Sequence, residues 1–209
     1  NLGTIAVMLI GIDGNEANIK ERVGVNVWAF ELLKRIKLQI TGYKLQAIVY
    51  LSKPPIGDMP EETEFWKYRV IKPGKFWTRC RLPLDLYLHH PRPDIFLSLS
   101  HYAPLFAPMP SVISIMDLSF LEYPQAFKPA VLWQIKNWTK KSVQKAARVI
   151  AISQFTKQEI IKHYKYPADK ITVAYPGISE AFRTFKDTGK KYGISRKYSF
   201  GFTECQCRS

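Results

Sequence analysis

The sequence predicts an α/β fold: a Rossmann-like, mostly parallel sheet with helices on both faces. Over most of the 209 residues, apolar runs of strand length alternate with segments whose apolar residues recur at helical spacing. Strands separated by helices require crossover connections, and such connections produce parallel pairing. The composition, 46% hydrophobic and 23% charged, is typical of a globular protein and excludes a disordered or collagen-like chain.

Seven apolar runs are predicted to form the strands of this sheet. The first, residues 5–12, is continuous, as expected for a strand that is buried on both faces. The remaining predicted strands are residues 45–51, 65–71, 94–99, 112–116, 148–152 and 171–175.

Helices are predicted between these strands. Val25 begins a helix whose apolar stripe is Val25, Trp28, Ala29, Leu32, Leu33 and Ile36. Residues 76–89 form a weaker helix that is interrupted at Pro83. A helix opened by Pro129 carries the apolar stripe Val131, Ile135, Trp138, Ser142 and Ala146. Ser153 is the predicted N-cap of a last helix over residues 154–164.

The predicted domain organisation is one Rossmann-like domain over residues 1–183, followed by a different kind of sequence. Residues 184–191 are polar and basic, as in a linker, and residues 198–202 are aromatic, as at the start of a strand. Residues 184–209 are therefore expected to be a linker and the start of a missing second domain. The chain is accordingly expected to be a fragment.

Charge and cysteine content limit the classes of function. Lys plus Arg number 31 against 17 Asp plus Glu, a net charge of +14 that suits nucleic acid, anionic lipid or a phosphorylated substrate equally well. No apolar run reaches the roughly 18 residues that span a bilayer. The three cysteines, Cys80, Cys205 and Cys207, cannot form a fully paired framework and are expected to be reduced thiols in a cytosolic protein.

The candidate chemistry lies in loops that follow the strands, where open α/β sheets bind ligands. Gly24 precedes a helix, where backbone N–H groups can approach an anion, or else it belongs to a plain turn. His101 suits a general base or a hydrogen-bond donor to a sugar hydroxyl, or is a surface residue. Asp117 follows a buried strand, as active-site acids do, but aspartate also forms turns. A P-loop, CxxC, HExxH and nucleophile elbow are all lacking in the sequence.

Four stretches together resemble the N-terminal domain of family 4 glycosyltransferases, which have the GT-B fold. They are VGVNVWAFELL (23–33), IMDLSFLEYP (115–124), WTKKSVQKAARVIAISQFTKQEII (138–161) and KITVAYPGI (170–178). The resemblance implies two Rossmann-like domains that face a cleft and transfer a sugar from a nucleotide-sugar donor, retaining the anomeric configuration and using no metal or other cofactor. The N-terminal domain would bind the acceptor. This chain would be the acceptor-binding half of a hexosyltransferase that acts on a glycan or lipid-linked acceptor, inactive without the donor-binding half.

The resemblance assigns donor-side roles to the start of the first helix and to Ser153. Gly24 matches a glycine that lies near the donor phosphates, and Val25 and Asn26 follow it on the diphosphate side. Asn26 stands where a second glycine is common. Ser153 matches the serine that opens a helix whose N-terminal dipole faces the cleft.

The resemblance assigns catalytic or orienting roles to Asp117 and His101. Asp117 matches the aspartate of a His-Asp pair whose histidine is replaced here by Met116, which cannot shuttle a proton. His101, in the preceding loop, is the residue that would take that place. Both side chains would orient acceptor hydroxyls.

Two other functions compete with the glycosyltransferase hypothesis. One is a non-catalytic binding or regulatory module that works with a separate donor-binding chain, which Met116 favours. The other, ranked last, is a basic nucleic-acid-binding protein, so no nucleic-acid partner is expected. The expected location is the cytoplasm, and a basic amphipathic helix hints at docking on the inner, anionic face of the membrane.

Overall fold

Seven β-strands and five α-helices are present in residues 7–43 and 45–177, the part of the chain that the computed structural model describes. The strands are β1 (Leu9–Asp13), β2 (Gln46–Leu51), β3 (Trp66–Val70), β4 (Ile95–Ser98), β5 (Ser111–Ile115), β6 (Arg148–Ala151) and β7 (Ile171–Val173). The helices are α1 (Val25–Tyr43), α2 (Leu82–Leu88), α3 (Ser119–Glu122), α4 (Pro129–Lys145) and α5 (Gln154–Tyr164). A π-helical turn, Trp77–Arg81, leads directly into α2.

The strands form one sheet in the order β3-β2-β1-β4-β5-β6-β7. All six pairings between neighbours are parallel. In the centre of the sheet, Ile12 of β1 is in register with Val49 of β2 on one side and with Leu97 of β4 on the other. The predicted fold class, a Rossmann-like parallel α/β sheet, is confirmed.

Alternate residues of β2 show that helices cover both faces of the sheet. Val49 and Leu51 point into a core cluster that includes Leu33 of α1. Tyr50, between them, belongs to a different cluster that includes Leu86 of α2. Successive strand residues point to opposite faces, so α1 and α2 cover opposite faces of this half of the sheet.

The other half of the sheet packs against α4 and α5, and here one sequence prediction is wrong in detail. Val131 was expected to face inward but is 50% exposed. Ser142 of the predicted stripe is buried, together with Thr139 and Val143, which the stripe did not include. Ser142 is used inside because its hydroxyl accepts a hydrogen bond from the backbone N–H of Ala103, at 3.2 Å. An apolar stripe does not reveal such a polar contact between distant segments.

The first strand also differs from its predicted bounds, because it begins at Leu9 and ends at Asp13. Val7 and Met8 belong to the apolar run but are exposed and precede the strand. Pairing starts at Leu9 opposite Gln46, where β2 itself begins. The neighbouring strand, not the hydrophobicity of the run, therefore determines where β1 starts. Residues 5 and 6 lie outside the described residues.

The remaining predictions hold with shorter elements. The weak helix over 76–89 consists of the π-helical turn and then α2, so the interruption comes just before Pro83. Cys80 is an exposed free thiol, whereas Cys205, Cys207, the domain boundary at residue 183 and the strand over 198–202 lie outside the described residues. Within residues 7–43 and 45–177, the helices are too short or too polar to cross a bilayer.

We predict that Gly14→Ala destabilises the sheet edge. A Cβ on Gly14 would lie 2.5 Å from Cγ1 of Val49 and 2.9 Å from Cδ2 of Leu51, both in the core. Overpacking of this kind costs about 1–3 kcal/mol. The free energy of unfolding, measured by urea denaturation, is expected to fall by that amount. Gly42→Ala is the matched control, because its Cβ would meet nothing within 4 Å. A Gly14→Ala protein as stable as the wild type would contradict this packing.

Candidate active site

The candidate site lies at the carboxyl ends of β1, β4 and β5. The chain leaves β1 toward β3 at one side of the sheet and continues from β4 toward β7 at the other, so the strand order reverses between β1 and β4. In open α/β sheets, the loops that follow two such strands diverge and leave a crevice where ligands bind. The residues after β1, β4 and β5 therefore define the site.

Asp13 is a buried carboxyl in this crevice, and the sequence reasoning missed it. It is the last residue of β1 and only 7% exposed. Its Oδ1 accepts hydrogen bonds from the backbone N–H and the side-chain amide of Asn15, both at 3.0 Å. Burial raises the pKa of Asp13 to about 7, against these hydrogen bonds and assisted by the negative charge of Glu16. A carboxyl at the end of the central strand can therefore hold or release a proton near neutral pH.

Asparagine side chains hold the loop after β1 against the end of β2. Asn15 Oδ1 accepts from both the backbone N–H and the hydroxyl of Ser52, each at 2.8 Å. Asn18 Oδ1 accepts from the N–H of Ile56 at 2.9 Å, and its amide nitrogen donates to the carbonyl of Pro54 at 3.0 Å. The loop is thus fixed in place, as an active-site loop must be if it is to orient a substrate.

Glu16 connects the loop after β1 to the first turn of α1. The side-chain amide of Asn26 donates to Glu16 Oε2 at 2.7 Å. Burial raises the pKa of Glu16, while this hydrogen bond opposes the rise. Burial, followed by the charge of Glu16, likewise raises the pKa of Tyr102 in the loop after β4. The start of α1 is therefore held back at the edge of the sheet, close to Asp13.

Gly24 occupies a backbone conformation that requires glycine. Its φ of +51° is left-handed, and a Cβ placed there would meet nothing within 4 Å, so the constraint is the angle and not the space. Among the described residues, no group accepts a hydrogen bond from the N–H of Gly24 or of Val25. Two unpaired N–H groups at the start of a 19-residue helix provide a suitable position for an anion.

His101 lies beside Asp117, as its proposed role requires. Its Nε2 is 3.1 Å from the backbone carbonyl of Asp117. A carbonyl only accepts, so Nε2 carries the proton and Nδ1 is the free basic nitrogen of the neutral ring. Burial lowers the pKa of His101, despite the opposing effect of Asp117. The imidazole also packs edge-on against Phe120, with ring centroids 6.4 Å apart.

Met116, the residue before Asp117, is linked to Ser153 through Thr156. The exposed Asp117 accepts the N–H of Ser119 on Oδ1 at 2.9 Å. The carbonyl of the preceding residue, Met116, accepts the hydroxyl of Thr156 at 3.0 Å. Ser153 is the N-cap of α5, as predicted, because its Oγ accepts the N–H of Thr156 at 3.0 Å. The start of α5 therefore lies against the end of β5.

The structure thus brings the sequence-selected residues together in two groups. His101, Asp117 and Ser153 form one group around the end of β5, whereas Gly24, Val25 and Asn26 lie with Glu16 on the side of β1. Asp13 and Tyr102 lie between these groups and were not selected from the sequence. A polar residue that directly follows the apolar run of β1 was the signal available for Asp13.

One cluster of metal-ligating type occurs among the described residues: Glu122, Glu159 and His163, whose ligand atoms lie within 4.8 Å of one another. Lys162 Nζ already lies 3.3 Å from a carboxylate oxygen of Glu159 and 3.7 Å from one of Glu122. The arrangement is an ion-pair network with its own cation, and we assign it no metal.

We predict that Asp13 makes the fold less stable at high pH. The folded state keeps Asp13 protonated up to about pH 7, whereas the unfolded chain ionises it above its ordinary pKa of 3.8. Stability from the neutral carboxyl is complete below pH 3.8 and falls as the pH rises toward about 7, by about 4 kcal/mol in total. Asp13→Asn, which cannot ionise, is expected to remove this component.

Urea denaturation at about pH 4 and about pH 8 measures the pH-dependent contribution of Asp13 to stability. The decrease in unfolding free energy between the two conditions should be smaller in Asp13→Asn than in the wild type. Glu21→Gln, at an exposed carboxyl, is the control for a generic change of charge. Equal decreases in the wild type and Asp13→Asn would contradict the burial argument.

Comparison with known proteins identifies the family. The family model for Glycosyltransferase Family 4 matches residues 24–182. Among solved structures, the chain is similar to HepE from Anabaena, crystallised in complex with UDP-glucose, with 17% identity and a TM-score of 0.49. This similarity covers 82% of the present chain and 44% of HepE, so the chain spans less than half the length of that protein. No curated protein matches the sequence significantly. Because the family model covers most of the residues, the chain belongs to glycosyltransferase family 4.

Proposed function

We propose that this chain forms the acceptor side of a glycosyltransferase of the GT-B type that transfers a hexose, with retention and without a metal, from a nucleotide sugar to a glycan or lipid-linked acceptor. The observation that carries the proposal is the contact between His101 and Asp117 at the carboxyl edge of the sheet. The imidazole of His101 lies beside Asp117, even though the residue directly before Asp117 is a methionine and not a histidine. This contact favours an enzyme over a purely non-catalytic module.

Asp117 and His101 are proposed to orient the acceptor. Asp117 Oδ1 is engaged by Ser119, which leaves Oδ2 to accept a hydrogen bond from an acceptor hydroxyl. Such a bond raises the electron density on the attacking oxygen. Nδ1 of the neutral His101 is a second acceptor at the same edge. The two acceptors can thus each hold a different hydroxyl of the acceptor sugar, and fixing two of its hydroxyls is the kind of orientation that lowers the entropic barrier.

The donor diphosphate is proposed to lie toward the start of α1. The N–H groups of Gly24 and Val25, together with the positive end of the helix dipole, support this placement. The nearby Glu16 opposes an anion when ionised, and its raised pKa reduces that repulsion. The remaining donor contacts and the opposite wall of the cleft would come from a donor-binding domain.

A peripheral, cytoplasmic position at an anionic membrane is part of the same proposal. Exposed lysines of α4, Lys140, Lys141 and Lys145, support it as a basic surface.

We predict that Asp117→Asn in the full-length protein lowers kcat for glucosyl transfer from UDP-glucose by about 100-fold, because a misplaced acceptor hydroxyl costs rates of that order. His101→Gln should also lower kcat. The measurement is radiolabelled transfer to an acceptor extract, with thermal unfolding to confirm the fold.

Asp94→Asn is the matched control for the change from acid to amide. Asp94 lies at the opposite, amino edge of the sheet, where its Oδ2 accepts the N–H of Leu9 at 2.8 Å. It should transfer at the wild-type rate. The proposal fails if Asp117→Asn retains full activity, or if no nucleotide sugar supports transfer.

A further inference from the structure

A pocket of about 240 Å³ lies between the segment that follows β3 and helix α4. Its lining is mostly aromatic and basic: Gly74, Phe76, Trp77, Thr78, Arg79 and Trp138. We call it the Arg79 pocket. None of its lining residues belongs to the groups around Gly24 or Asp117 described above.

The Arg79 pocket adjoins the candidate active site through Trp138. The guanidinium carbon of Arg79 lies 3.9 Å from the ring centroid of Trp138. Tyr102 packs edge-on against the same indole, with centroids 5.4 Å apart. Tyr102 immediately follows His101 in the loop after β4. The rings of Trp138 and Tyr102 therefore connect the pocket to the loop that carries His101.

The segment that forms one wall of the pocket carries uncompensated positive charge. Residues 72–81 contain four cations, Lys72, Lys75, Arg79 and Arg81, and no acid. Among the described residues, none of the four forms an ion pair with a carboxylate, unlike Arg22 and Arg69, which pair with Asp58 and Asp85. The guanidinium is planar, and its N–H groups point outward in its own plane. A guanidinium that lies over an indole can therefore still donate two parallel hydrogen bonds to a phosphate.

Two residues that line the pocket have unpaired buried indole nitrogens, and a third has an unusual backbone conformation. Trp77 is 5% exposed, and its indole Nε1 has no hydrogen-bond acceptor among the described residues. Nε1 of Trp138 is equally unpaired. Phe76 has a left-handed φ of +56° and begins the π-helical turn. Strained, non-glycine backbone of this kind is concentrated at ligand sites, because the surrounding structure must maintain it.

We propose that the Arg79 pocket binds the phosphate of a phosphorylated acceptor, with Arg79 holding the phosphate oxygens and the exposed ring of Phe76 packing against the attached sugar. The aromatic faces suit the C–H surface of a sugar ring, and the charge suits a phosphate. The proposal rests on the proposed function, which it deepens by naming the acceptor class. The phosphate is either that of a soluble sugar phosphate or that of a lipid-linked one.

The test is calorimetric titration of the full-length protein with glucose 6-phosphate, glucose and inorganic phosphate. Vesicles of phosphatidylcholine, with and without phosphatidylglycerol, test the lipid source by co-sedimentation. Glucose 6-phosphate is expected to bind more tightly than glucose, and Arg79→Gln should weaken it by about tenfold or more. Arg81→Gln, two residues away and outside the lining, is the matched control and should leave binding unchanged. Phe76→Leu should weaken the binding of glucose 6-phosphate more than the binding of inorganic phosphate.

Arg79-dependent binding of the soluble phosphate alone supports a soluble acceptor, and Arg79-dependent binding of the anionic vesicles supports a lipid-linked one. The proposal is overturned if no phosphate probe binds, or if Arg79→Gln and Arg81→Gln weaken binding equally. Transfer from UDP-glucose is measured on the same proteins. Phosphate binding without any transfer would refute the proposed function while the pocket stands, and transfer without Arg79-dependent phosphate binding would refute the pocket alone.

Discussion

β1 pairs with β2 along one side and with β4 along the other, and the chain builds the sheet outward from this central strand in both directions. All of its ladder hydrogen bonds are satisfied within the sheet, and helices bury both faces. The carboxyl end of β1 is therefore poorly solvated, and Asp13 is only 7% exposed. Parallel pairing brings the ends of β4, β5 and β6 to the same edge. The candidate site follows from this one arrangement.

Burial at this point explains the behaviour of Asp13. A carboxyl at the end of a strand buried on both sides loses hydration, and two hydrogen bonds from Asn15 only partly replace it. The buried carboxyl of Asp13 thus destabilises the folded protein at neutral pH, and an apolar residue at this position would give a more stable fold. Such local costs are common where side chains contact ligands, because a group satisfied entirely by the protein has nothing left to offer a substrate.

The sequence was sufficient for the fold and for part of the site. Apolar runs identified all seven strands, and Ser153 was recognised as an N-cap because capping depends only on neighbouring residues. Ser142 faces inward as the predicted stripe requires, but the exposure of Val131 and the hydrogen bond from the N–H of Ala103 to Ser142 were not predictable from the stripe. Asp13 was left out of the first predicted strand because the apolar run ends at residue 12, whereas pairing with β2 continues to Asp13. The periodicity of apolar residues predicts local secondary structure, but it does not predict which distant residues a side chain contacts.

The distribution of charge along this edge suggests how one surface can bind two kinds of group. Asp13, at the end of β1, and Glu16 and Asp117, in the loops that follow β1 and β5, carry carboxyl groups whose oxygens suit neutral hydroxyls as hydrogen-bond acceptors. The cations of residues 72–81 follow β3 and lack carboxylate partners within the described chain, so they suit phosphate. Attraction to the basic segment and repulsion by the acidic loops act in the same direction. A phosphorylated sugar would therefore be oriented with its phosphate toward Arg79 and its hydroxyls toward Asp117, before any specific hydrogen bond forms.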